Sequence, residues 1–129
     1  MVEFAWHLHH DTLVEPLIDT LEGRVCYIKA LKPPEEQELR LRLLKLVKGE
    51  LPSEVVEAGI AWWEAWKVFH QAVGDYEALT PTYYEVLRPA YNGAIETYNA
   101  VLAAHAPEVE ALHRQECPNC PWNGKTIFT

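Results

Sequence analysis

Hydrophobic positions along this chain change period twice. Residues 2–8 alternate, with Val2, Phe4, Trp6 and Leu8 on one side and Glu3, Ala5, His7 and His9 on the other. That two-residue period predicts a half-buried strand with His7 and His9 on one face. From Thr12 the spacing lengthens to three and four, through Leu17, Leu21, Val25 or Cys26, and Ile28. It predicts a helix capped by Asp11 or Thr12, with Glu15 and Pro16 in the first turn and Gly23 as a weak point. Pro33-Pro34 ends that helix, and Pro34 with Glu35, Glu36 and Glu38 opens a second, the acids lying where the helix dipole favours them. Leu39, Leu43, Leu46 and Val47 form its apolar stripe, closed by Gly49 and Pro52. The L-R-L-R-L alternation over 39–43 also suits a strand, but Leu, Arg and Lys are strong helix formers, so a helix is expected.

Ser53, Glu54 and Glu57 open the main helical region, where the apolar period becomes seven. Trp62, Phe69, Tyr76 and Tyr83 form one series, and Ala65, Ala72, Leu79 and Val86 another. Trp66 and Val73 complete the stripe; after Tyr83 the register slips by one, to Tyr84, Tyr91, Tyr98 and His105. Large rings set against small alanines are what two helices lying side by side require. At the slip stands Leu79-Thr80-Pro81, in which Thr80 can cap a helix and Pro81 can occupy its first position. A helical hairpin is therefore expected, with arms at about 53–78 and 82–104 and Pro89 bending the second. One long kinked helix is the alternative, and it needs a second chain to bury its stripe. His70 and His105 read as ordinary helix residues.

The end of the chain carries the candidate chemistry. A short helix over 107–116 leads into HRQECPNCPWNG, where Cys117 and Cys120 lie two residues apart and His113 one helical turn before them. Two thiolates at that spacing can turn back on one ion, and Pro118 and Pro121 restrict the turn. Pro121 cannot offer an N–H to the second sulfur. A fourth ligand is absent from this stretch, and the other gathering of ligand-type side chains is at the start: His7, His9, His10 and Asp11. The expected metal set is Cys117, Cys120, His113, His9 and His7, holding zinc where the two termini meet. A reduced surface turn, or a redox pair, is the competing reading of the cysteines. Asn123-Gly124 predicts a tight turn and 125–128 a strand paired with the N-terminal one, while Trp122 is expected to cover the sulfurs.

Length and composition narrow the class. At 129 residues, 49% of them hydrophobic, one domain over 1–129 is expected, in three parts: 1–52, 53–105 and 106–129. The fold class is mainly α: a coiled-coil-like helical hairpin plus two shorter helices, with a small two-stranded sheet and a zinc-knuckle-like turn joining the termini. No apolar run reaches the roughly 18 residues of a membrane span. The first residues hold Glu3, three histidines and Asp11 in place of a basic start and an apolar stretch, so no signal peptide and a cytoplasmic location are expected. Three cysteines, with Cys26 in an apolar setting, suit a reducing compartment with one buried thiol and a metal pair. A formal net charge of -8 disfavours nucleic-acid binding, since phosphate neutralisation needs clustered positive charge. The cluster Arg40, Arg42, Lys45 and Lys48 reads first as a solvated helix face.

WHLHHDTLVEPL at the start, RLRLLKLVKGELP in the middle, the tyrosine and alanine heptad block, and LHRQECPNCPWNGKTIF at the end span nearly the whole chain. In these the sequence resembles a family of small proteins met mainly in phage-like and environmental microbial sequence. In that family a heptad block of variable length stands between near-constant ends. This chain departs from it in Pro81, Pro89 and a degenerate repeat. The resemblance implies no activity; it suits a fixed base that presents a changeable helical surface. The function expected is non-enzymatic, a zinc-stabilised module that binds another protein, with a homodimer through the heptad helices as a further arrangement. The rivals are a metal-dependent hydrolase using His7, His9, His10 and Asp11, and a nucleic-acid-binding knuckle.

Overall fold

The computed structural model describes residues 2–18, 20–74 and 81–128, and the side chains among them except those of 71–74 and 81–84. Residues Met1–Glu50 with Glu110–Thr129 form one compact unit, and Leu51–Val109 form another. The mainly α class holds: five helices and a small sheet are found among the described residues.

In the first unit, strands β1 (Phe4–Trp6), β2 (Val14–Pro16) and β3 (Lys45–Leu46) form an antiparallel sheet in the order β2-β1-β3. Phe4 faces Pro16 and Trp6 faces Val14 on one edge of β1, and Trp6 faces Lys45 on the other. The expected strand is therefore central, and buried on both faces rather than one. Ala5 joins Leu8, Leu17, Ile28 and Leu44 in the core, with Leu21, Val25, Leu41 and Leu46 packed around them.

Four expectations are corrected here. Residues 14–16 are a strand where a helix was expected; helix α1 (Leu21–Leu31) starts later, capped by Thr20, whose hydroxyl accepts from the Gly23 amide at 3.0 Å. Pro16 is tolerated because β2 lies at a sheet edge. Helix α2 (Pro34–Leu43) begins as predicted, but stops early so that Lys45–Leu46 can pair with β1. The sheet is thus three-stranded, and 125–128 is not one of its strands. With both edges of β1 taken by β2 and β3, the C-terminal segment attaches elsewhere: the Ile127 amide donates to the His10 carbonyl at 2.9 Å. Cys26, expected to be buried, is exposed on α1.

In the second unit, α3 (Ser53–Gly74) and α4 (Pro81–Ala104) pack against each other as a hairpin, so rings of the stripe meet within one chain, whereas Val86, also expected in the stripe, is exposed. Trp62 meets Tyr98 at 5.3 Å between ring centres, and Phe69 meets Tyr91 at 5.2 Å in a near-parallel stack. A step of seven forward in α3 matches a step of seven back in α4, which is the register of antiparallel partners. α4 runs through Pro89. The expected cap at Thr80, with Tyr76 and Leu79, lies outside the described residues. A last helix, α5 (Ala106–Glu116), leads to the cysteines. Among the described residues, no helix is long and apolar enough to cross a membrane.

The ring-to-ring register predicts where the hairpin is sensitive. Tyr98 is fully buried, so Tyr98→Ala is expected to cost about 3–5 kcal/mol in chemical denaturation. Val86, 59% exposed on the same helix, is expected to tolerate alanine within about 0.5 kcal/mol. Equal effects at the two positions would contradict the packing.

Candidate metal centre

β1 ends at Trp6 because His7 adopts a left-handed conformation, with φ of 55°. Such a backbone costs a non-glycine residue about 1–2 kcal/mol and persists only where its surroundings enforce it. Here the His7 amide donates to the Leu13 carbonyl at 3.0 Å, and the Thr12 amide donates to the His9 carbonyl at 3.3 Å, closing the loop between β1 and β2. The turn takes His7 out of the strand's alternation and buries its ring, which is 3% exposed.

The opposing ligands come from the C-terminal end of α5. His113 is buried there, and Cys117 follows as the helix closes, its amide donating to the His113 carbonyl at 2.7 Å. The Cys120 amide donates to the Cys117 carbonyl at 3.2 Å, turning the chain back. Nε2 of His7 then lies 3.0 Å from Nε2 of His113 and 3.2 Å from Sγ of Cys120. All three donor atoms lie within 4.8 Å of one another, a group that can hold a metal ion. A tetrahedral ion with metal–nitrogen bonds near 2.05 Å and metal–sulfur bonds near 2.3 Å spaces its donors by roughly 3.3–3.6 Å. The observed spacings fall short of that by a few tenths of an ångström.

The five residues expected to bind metal are thus distributed unequally. His7, His113 and Cys120 come together. Cys117 is buried on the same turn and lines the same two clefts as Cys120. His9 is elsewhere: its exposed ring bonds Glu15 across the loop, Nδ1 to Oε1 at 2.6 Å. His10 bonds the Thr126 hydroxyl at 3.0 Å, tying the loop to the C-terminal segment. The reason His9 parts from His7 is the left-handed turn between Trp6 and Leu8, which an alternating strand would not contain.

Burial and neighbours keep the imidazoles neutral. Burial and the nearby His113 push the His7 pKa down to about 4, against a weaker opposite pull from the Thr12 backbone. Burial lowers His113 as well; Glu110 raises it and Arg114 lowers it. Both thiols are raised, first by burial; for Cys120 the Trp122 backbone amide, Arg42 and Lys45 work in the other direction. The N–H that Pro121 lacks is therefore supplied to the second sulfur by the next residue. Rings enclose the group, with Trp6 5.2 Å from His113 and Trp122 5.5 Å from His7.

Glu116 locks α5 to the sheet, and sequence reasoning did not single it out. Its Oε1 accepts from the Trp6 indole at 3.1 Å and the Lys48 amide at 2.8 Å, while Oε2 accepts from the Gly49 amide at 2.8 Å. Burial would raise its carboxyl, but these hydrogen bonds and Lys48 outweigh it and hold the group below the usual range. Gly49 permits the approach, since a Cβ there would stand 2.6 Å from Leu112 Cδ1 and 3.0 Å from Glu116 Oε2. A lone acid before a cysteine carries no periodic signal that would have revealed this.

Comparison of the chain with protein-family models, with curated proteins and with solved structures finds no match.

Two outcomes follow. Glu116→Ala removes three acceptor contacts and is expected to lower stability by about 2 kcal/mol in urea unfolding. No change would show that the clamp is idle. Separately, between pH 6.5 and about 4 the unfolded chain takes up a proton on His7 that the folded protein refuses. The stability of metal-free protein is then full above that window and falls, as pH drops through it, by about 3 kcal/mol from this residue. His7→Asn, which tolerates the left-handed backbone, is expected to flatten the decline; an unchanged pH profile would contradict the assignment.

Proposed function

We propose that this protein is a non-enzymatic interaction module whose chain ends are tied by a structural zinc ion. The convergence of two imidazole nitrogens and one thiol at hydrogen-bond distances carries the reading. In the proposal Cys117 closes the fourth position, giving a neutral two-nitrogen, two-thiolate shell that suits zinc. The ion would displace the protons that burial keeps on the thiols, so that binding energy becomes folding energy. The hydrolase reading loses support because His9 and His10 are engaged with Glu15 and Thr126 away from the three convergent ligands.

The working surface in this proposal is the α3–α4 hairpin. Its heptad rings are spent on each other, which leaves other side chains for a partner: Ile60 and Val68 outside the stripe and Val86 at a stripe position are exposed, and Lys67 lies 3.8 Å over the Trp63 ring. We assign that surface to another protein, with a second copy of this chain as the alternative occupant. Likeness to the phage-like family described above supports a mobile-element origin, with constant ends and a variable helical block.

Metal content decides the central part. Protein purified without added zinc is expected to carry about one equivalent by elemental analysis. Cys120→Ser and His113→Gln are expected to lose it, and His9→Ala to retain it. Absence of metal from the unaltered protein, or full retention in the Cys120 and His113 variants, would overturn the assignment.

A further inference from the structure

Arg42 and Lys45 are far from the cysteines in sequence but share a cleft with them. The cleft is floored by the turn from Cys117 through Asn119 to Cys120 and rimmed by Arg42, in the last turn of α2, and Lys45 of β3. Both basic side chains are exposed. Among the described residues neither enters a salt bridge or a side-chain hydrogen bond, whereas Arg40 in the same sequence cluster is committed to Glu36 at 2.8 Å. Two uncompensated cations over one concave surface stand out in a chain of net charge -8.

The acids near the turn do not neutralise them. Glu116 faces the Trp6 indole and the amides of Lys48 and Gly49, and Glu110 lines the neighbouring cleft together with Arg114. Judged by sequence neighbours, the turn looks acidic. Judged by spatial neighbours, one of its faces is basic, because β3 pairing carries Lys45 alongside Trp6 and so toward the end of α5.

We propose that this cleft is an anion subsite that takes a phosphate group. A guanidinium presents paired donors matched to phosphate oxygens and an ammonium adds a compact charge, so Arg42 and Lys45 together suit a tetrahedral dianion. No aromatic side chain lines the cleft, so the phosphate and not a base is what it recognises. The phosphate can be borne by a small ester or by a nucleic-acid backbone, and the experiment separates these. The metal would shape the turn, but the charge comes from α2 and β3, so metal content is measured on the same samples to keep the two readings apart.

The test is titration of the full chain as purified with inorganic phosphate at constant ionic strength, followed by amide NMR. Saturable shifts at 117–120 and 42–45 are expected, weakened about tenfold or more by the R42Q/K45Q double variant at unchanged metal content. No saturable shift, the same shift with chloride, or equal binding by the double variant would overturn the proposal. A parallel titration with oligothymidine identifies the source. Salt-sensitive binding lost in the double variant assigns the phosphate to a nucleic-acid backbone, and phosphate binding without oligonucleotide binding assigns it to a small ester. Preference for an acidic peptide over phosphate would count against the subsite.

Discussion

The contact that the first unit depends on is the meeting of His7 with His113 and Cys120, which joins residues from the two ends of the chain in a space closed by Trp6 and Trp122. Two buried neutral imidazoles and a protonated thiol are a poor core by themselves. Each nitrogen needs a partner, and a direct imidazole–imidazole bond satisfies only one donor and one acceptor. An ion between them satisfies all three at once and allows the sulfur to ionise. The left-handed backbone at His7 has the same logic: local strain is held by the bond from the His7 amide to the Leu13 carbonyl because it places the ring where its partners are.

Around that contact, the elements act as positioning devices. β3 pairs with β1, and Glu116 reaches back from α5 to the Trp6 indole and to the amides just after β3. The strand that delivers His7 and the helix that delivers His113 are thus held by one carboxylate. Asn123 performs a parallel task past the cysteines. Its side-chain oxygen accepts from the amides of Lys125 and Thr126 at 2.9 Å each, and the chain then bonds back to the His10 carbonyl.

What could be read from residues alone follows the range of the interactions. The hairpin was legible because seven-residue spacing of rings is a local signal with one packing solution, and Trp62–Tyr98 and Phe69–Tyr91 have that form. The start of α2 at Pro34 and the link between the chain ends were legible for similar reasons, each resting on strong local chemistry. β2 was not, because Asp11 and Thr12 offer as good a helix cap as Thr20, and only pairing with β1 decides between them. The early end of α2 is the same case: Lys45 and Leu46 have helical propensity, and sheet pairing overrides it. His9 was misplaced for a finer reason, since strand alternation carries no hint that the next-but-one histidine sits across a left-handed turn. The basic cleft and the Glu116 clamp depend on long-range pairing throughout, and no spacing rule reports them.

The account is tested most directly by X-ray absorption at the zinc edge on protein purified without added metal. It predicts a four-coordinate first shell of two nitrogen donors near 2.05 Å and two sulfur donors near 2.3 Å. A shell made of oxygen and nitrogen alone, or no zinc edge at all, would contradict it.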